Sequence, residues 1–182
     1  MHTTSDEHLV KRVAGGDRLA MQTLFSRHQM RVFRFVLRMV RDESVAEDMI
    51  SEVFLDLWRQ ADRFEARSSV STWLLAIARN KALSALRKRR EASLEEGAAE
   101  AIEDEADDPA VILQKQDKGA AMRACIDRLS VEHREVIDLV YYHEKSVEEA
   151  GEIIGIPPST VKTRMFYARK QLGDLLKGAG VD

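Results

Sequence analysis

The sequence predicts an all-α fold in which two small helical domains are joined by a flexible acidic linker. Three observations carry this expectation. Glycine and proline together supply only 12 of 182 residues, and the three prolines, Pro109, Pro157 and Pro158, leave long stretches in which nothing interrupts a helix. Apolar residues recur at i, i+3, i+4 and i+7 through most of the chain. Charge is also segregated behind a net value of only −3: residues 67–90 carry seven basic groups and no acid, whereas residues 91–113 carry nine acids and no Lys or Arg.

In the first domain, residues 1–90, a short helix is expected near Asp6–Ala14, ended by Gly15 and Gly16. Asp17 can cap a second helix to about Val40, with Leu24, Phe25, Val32, Phe35, Val36 and Met39 facing inward. Ser44 and Glu47 have capping-box spacing for a third, Val45 to about Arg59. Ala46, Ile50, Val53 and Leu57 form its inner stripe, and Glu47, Asp48, Glu52 and Asp56 lie mostly outside it. Residues 60–71 read as a loop, followed by a helix from Thr72 to about Arg90 whose apolar members are Trp73, Leu74, Ile77, Leu83 and Leu86. The linker, residues 91–113, has too few large apolar residues to offset its ordering entropy.

Late in the linker, Asp108 and Pro109 have the chemistry of a helix start for a helix running into the second domain, residues 114–182, as far as Leu129. Ser130 caps the next, Val131 to about Tyr142. Ser146 and Glu149 form a second capping box for Val147–Ile154, which Gly155 ends. Pro157 and Pro158 open the last helix, which Ser159 or Thr160 helps to cap and which runs to about Lys177. Helix, tight turn, helix is a helix-turn-helix, and Gly151 allows its two helices a close approach. Val161, Met165, Ala168, Leu172 and Leu175 mark the inner face of the last helix. From Pro157 to Leu172 there are four basic groups and no acid, the profile of a helix laid in a major groove.

Several classes are excluded or disfavoured. No apolar run approaches the length of a membrane-spanning helix, so no membrane insertion is expected. The opening residues, MHTTSDEH, lack the basic-then-apolar pattern of a secretory signal, and a cytoplasmic setting is expected. Cys125 is the single cysteine, so internal disulfides and cysteine-rich zinc sites are ruled out, and its apolar context reads as a buried structural thiol. The five histidines show no metal-ligand spacing, and no phosphate-cradling glycine motif is present. No catalytic constellation, metal site or cofactor is expected. Trp58 and Trp73 read by default as core residues. The tract RSSVSTWLLAIARNKALSALRKRR joins a small polar loop to a basic helix and suits an unstacked base beside a phosphate backbone.

The segments AEDMISEVFLDLWRQ and STWLLAIARNKALSALRKRR, the acidic linker, and LSVEHREVIDLVYYHEKSVEEAGEIIGIPPSTVKTRMFYARKQL occur in an order and spacing that resembles a bacterial sigma factor of the small, two-domain extracytoplasmic-function (ECF) type. The resemblance spans about residues 8–177. It implies a subunit that binds core RNA polymerase, through β′ and β, and directs it to promoter DNA, with an anti-sigma factor as a further partner. Asp48, Glu52, Val53, Phe54 and Trp58 would dock on the β′ coiled coil. The loop at Glu65–Ser71 would capture a flipped base, with Arg67, Ser68, Ser69, Asn80, Lys81 and Arg87 at the −10 element. Ser159, Thr160, Lys162, Thr163, Arg164, Phe166 and Arg169 would face the −35 element. Ser51 stands where relatives usually carry Gln, and Tyr167 at a position that is often basic. A stand-alone, dimeric helix-turn-helix regulator would account for the second domain but leaves the basic block and the acidic linker without a role.

Overall fold

The computed structural model describes residues 4–97 and 117–181, and every described element is helical. Two compact units result.

The first unit holds α1 (Asp6–Ala14), α2 (Arg18–Val40), α3 (Glu43–Gln60), a 3₁₀ turn (Ala61–Arg63) and α4 (Val70–Glu95). The Ser5 hydroxyl accepts from the His8 N–H and starts α1. The Asp17 carboxylate accepts from Leu19 and Ala20 N–H, starting α2, and its other oxygen takes Arg12 Nε at 2.8 Å, fastening the end of α1. The hydrogen bond from Ala20 and those from Arg12 hold its carboxyl below the ordinary value. Leu24, Phe35 and Val36 of α2, Ala46, Val53 and Leu57 of α3, and Leu74, Leu75 and Ala78 of α4 are fully buried, joined by Leu9, Val10 and Val13 of α1.

The start of α3 differs from expectation. Arg41 adopts a left-handed conformation, φ 55°, which sets Asp42 in extended geometry with its carboxylate on the Val45 N–H at 3.0 Å. The cap is therefore Asp42, and the helix begins before Ser44, which lies inside the first turn. Phe25, expected in the core, is 37% exposed, edge-on to Phe54 at 4.9 Å. Along α4 Leu74 is buried, while Trp73, Ile77, Leu83 and Leu86 are half-buried. That helix begins at Val70, earlier than expected, and runs past Arg90 through Glu95, so the first five residues assigned to the linker are helical. Most of the linker, and the Asp108–Pro109 helix start, lie outside the described residues.

The second unit includes α5 (Lys118–Asp127), α6 (Val131–Ile137), a π-helical segment (Asp138–Tyr142) and α8 (Pro158–Gly178); α7 (Val147–Ile154) precedes α8 in the chain. A continuous helix to Leu129 is not formed. Asp117 has non-helical backbone and caps α5 through the Ala120 N–H at 2.9 Å. The guanidinium of Arg134, itself buried, donates to the Asp127 carbonyl near the end of α5 at 3.1 Å. Ser130 caps α6 as expected. Ser146 and Glu149 form their capping box with both bonds made, 2.8 and 3.1 Å. Gly155 turns the chain at φ 79°. At Gly151 a Cβ would sit 2.7 Å from the Ile156 carbonyl oxygen, so the close approach is to the turn backbone. Pro157, and not Ser159 or Thr160, occupies the N-cap of α8, with no side-chain cap. Val161, Met165 and Ala168 are buried, as is Cys125, whereas Leu172 and Leu175 are half-buried.

Candidate nucleic-acid interface

Three surfaces collect the expected functional residues. The first is the outer face of α3. Asp48 and Glu52, one helical turn apart, are both exposed. Val53 and Phe54 are not available there: they are 0% and 3% exposed, because the period of the helix turns them inward with Leu57. They hold the helix in place. Trp58 is half-buried. The apolar group that does share the acidic face is Leu55, 46% exposed and at i+7 from Asp48. Helical spacing counted from Asp48 was the signal that finds it.

The second surface lies between α3 and α4. Asp56, one turn beyond Glu52, meets Lys81 of α4: Nζ is 2.9 Å from Asp56 Oδ2 and 3.6 Å from Glu52 Oε2. These groups border an open groove of about 450 Å³, also lined by Asn80, Ser84 and Lys88. Arg87 projects from the same helix and is exposed. At the start of α4 the Ser69 hydroxyl accepts from the Thr72 N–H at 3.2 Å and donates to Thr72 Oγ1 at 3.0 Å, so it serves as the helix cap. Preceding it, Ala66 is held at φ 54°, unusual for a residue with a Cβ. Arg67 is exposed and pairs with Glu65 at 2.5 Å, and Ser68 is half-buried. Phe64 and Trp73 stack at 4.8 Å and brace this loop against α4, which makes Trp73 a loop anchor more than a core residue.

The third surface is α8. Ser159, Lys162, Thr163, Phe166 and Arg169 are exposed, and Thr160 and Arg164 half-buried. Ser159, Lys162, Phe166 and Arg169 recur at i+3, i+7 and i+10, one stripe of the helix. Phe166 is 60% exposed, an unusual position for an aromatic ring unless something covers it, and its edge meets Tyr167 at 5.4 Å. The Thr163 hydroxyl donates to the Ser159 carbonyl at 3.1 Å. Arg169 Nη1 donates to the Tyr141 hydroxyl at 3.3 Å. Tyr141 was not singled out from the sequence. The π-helical segment brings it to Arg169, and local pattern gives no sign of an i→i+5 turn.

Two family descriptions match the chain: Sigma-70 region 2 over residues 24–92, and Sigma-70, region 4 over residues 119–172. The ECF RNA polymerase sigma factor SigK of Mycobacterium tuberculosis is 30% identical over 172 residues, 92% of this chain and 91% of SigK. This protein is an ECF sigma factor. The RNA polymerase sigma factor CarQ of Myxococcus xanthus is similar at 32% identity, over 92% of this chain and 95% of CarQ. Among solved structures, CnrH in complex with the cytosolic domain of CnrY is similar at TM-score 0.71 and 25% identity, covering 96% of this chain and 99% of CnrH. The sigma factor RpoE of Bartonella quintana, solved with the anti-sigma factor NepR, is similar at TM-score 0.68 and 26% identity, over 86% of this chain and 96% of RpoE. As a sigma factor the protein binds core RNA polymerase and directs it to promoters, and its region 2 match lies within the first unit. Among the described residues no helix is long and apolar enough to cross a membrane.

Proposed function

We propose that this ECF sigma factor docks on core polymerase through the acidic outer face of α3, reads the −10 element with the loop before α4 and with α4 itself, and reads the −35 element with the exposed face of α8. The observation that carries this reading is the separation of charge by surface: α3 offers Asp48 and Glu52, whereas the tail of α4 and the stripe of α8 offer Arg87, Lys88, Lys162 and Arg169. An acidic helix suits a basic protein partner, and basic helices suit DNA. Trp58 and Leu55 supply the apolar part of the docking face; Val53 and Phe54 support it from inside. At the −10 element Arg67 and Ser68 face the strand, Asn80 and Lys81 line its path, Arg87 contacts phosphate, and Ser69 shapes the loop. Trapping an extruded base there offsets part of an unstacking cost of about a few kcal/mol. At the −35 element Lys162 and Arg169 hold phosphates, Thr163 and Arg164 reach base edges, Phe166 meets a thymine methyl, and Ser159 and Thr160 set the N-terminus of α8 against the backbone.

The protein works by binding, without covalent chemistry of its own, in the cytoplasm where the polymerase is. An anti-sigma factor holds it inactive until a stress signal releases it. Support comes from the similar sigma factor RpoE, solved with the anti-sigma factor NepR. Run-off transcription with core polymerase and a promoter library tests the reading. Specific transcripts that depend on this chain are expected; DNA binding with no polymerase association would overturn it.

A further inference from the structure

Beside the C-terminal end of the α8 stripe stands a side chain from another element, Tyr141, whose hydroxyl meets Arg169. We propose that Tyr141 is a positioning residue for duplex DNA: its hydroxyl aims the Arg169 guanidinium at a backbone phosphate and, being uncharged, leaves the charge of that guanidinium whole. The inference rests on the proposed placement of α8 on DNA and adds a residue that acts through its phosphate contacts.

The local turn explains why Tyr141 is at the surface. Arg134, Glu135, Asp138 and Leu139 are buried and mark the inner face of α6 and its continuation. On an unbroken α-helix Tyr141 and Tyr142 would follow Asp138 at i+3 and i+4 and turn inward with it. They are instead 53% and 46% exposed. The cause is the π-helical turn. The His143 N–H donates to the Asp138 carbonyl at 3.1 Å, an i→i+5 bond that widens the turn by one residue and takes the tyrosines out of phase with α6. His143 fills the inner place, and its Nε2 lies 3.3 Å from Asp138 Oδ2. The same two residues thus close the turn twice, once through backbone and once through side chains. A further tie joins α6 to α8 where His133 Nδ1 meets Gln171 Oε1 at 3.0 Å. Against this support Arg169 Nη1 donates to the Tyr141 hydroxyl at 3.3 Å. A guanidinium carries five N–H donors in one plane, so directing one of them directs the rest. Among the described residues Arg169 meets no carboxylate. A carboxylate in the place of the phenol would aim the group and also cancel its charge, and a phosphate would then gain little. The phenol aims it and cancels nothing. Because the bond is long and exposed, it restricts the guanidinium only in part, and a modest effect on affinity follows.

The test uses the full chain, a fluorescein-labelled duplex of mixed sequence about two helical turns long, and anisotropy titrations across a range of NaCl. Phosphate contacts carry no sequence information of their own, so a mixed duplex reads them. Arg169→Ala should weaken binding about eightfold and flatten the log–log salt slope by about 0.9. Tyr141→Phe removes a single oxygen atom. It should weaken binding about threefold and leave the slope within about 0.2 of wild type, because the charge remains. With both substitutions together the loss should match that of Arg169→Ala alone to within about 1.3-fold, since aiming has no value without the group that is aimed. A Tyr141 that serves only the fold would weaken binding alike in both backgrounds and lower the melting temperature, which Tyr141→Phe should leave within about 1 °C of wild type. Equal losses in the two backgrounds, or no loss from Tyr141→Phe where Arg169→Ala weakens binding, would overturn the inference and leave the placement of α8 standing. If Arg169→Ala changes neither affinity nor slope, Arg169 holds no phosphate; that part of the proposed function fails, and the role of Tyr141 with it.

Discussion

Asp6 shows how one carboxylate ties the first helix to the second. His28 Nε2 lies 2.6 Å from its Oδ2, and Arg27 donates to its Oδ1 at 2.6 Å and to the Thr4 carbonyl at 2.8 Å. Burial alone would raise the carboxyl's pKa, but the hydrogen bonds and charges of Arg27 and His28 outweigh it and hold the group below its ordinary value of 3.8. A depressed folded value means stability that is present above the unfolded value and lost as pH falls through the folded one. Asp6→Asn should therefore cost about 1–2 kcal/mol at neutral pH. The gap between wild type and variant should stay constant down to about pH 5 and close below pH 4, as read by urea melts at stepped pH. Gly151 makes a second prediction at this scale. A methyl group there meets a backbone carbonyl 2.7 Å away, and a backbone cannot swing aside as a side chain would. Gly151→Ala should lose about 1–3 kcal/mol in thermal unfolding, although alanine is the better helix former.

At the scale of elements, caps and apolar spacing carry the fold, and most of both can be read from the chain. Asp17, Ser130 and the Ser146–Glu149 box do what their residue types allow. Ser146→Ala should cost about 1 kcal/mol and loosen α7, as a fall in amide-exchange protection over its first turn. Where the sequence misleads, a nonlocal or backbone cause is visible. Ser44 and Glu47 have ideal spacing, but the left-handed Arg41 places Asp42 first. The stop expected near Arg90 rests on a change of charge, and charge does not end a helix: EASLE has good helix formers and no Gly before position 97. Site residues follow the same division. Exposure of Lys162, Phe166 and Arg169 could be read from the period of α8, whereas the burial of Val53 and Phe54 contradicts only the resemblance, since the period had already assigned Val53 to the inner stripe. The Lys81–Asp56 pair joins separate elements and has no local signal. Within α8, Lys162→Ala should weaken DNA binding evenly across sequences and flatten the salt slope by about 1, while Arg164→Ala should cost about 1–3 kcal/mol at the −35 element alone. Competition binding against scrambled duplexes distinguishes the two.

For the molecule as a whole, function follows from keeping opposite charges on different surfaces of a chain that is nearly neutral overall. Asp48→Arg reverses an exposed group on the acidic face of α3 and should reduce association with core polymerase by at least tenfold, seen as loss of co-elution, while leaving the melting temperature within about 2 °C. Undiminished co-elution would remove α3 from the docking surface. The continuity of α4 from Val70 to Glu95 adds a constraint of phase. Each residue of a helix advances by about 100°, so the azimuth at which the chain departs beyond Glu95 is geared to the arginine-rich turns before it. One extra residue between Arg90 and Glu91 would swing that departure by more than a quarter-turn, and a full heptad would nearly restore it. A polymerase that grips those turns thereby also sets the direction in which the chain leaves α4.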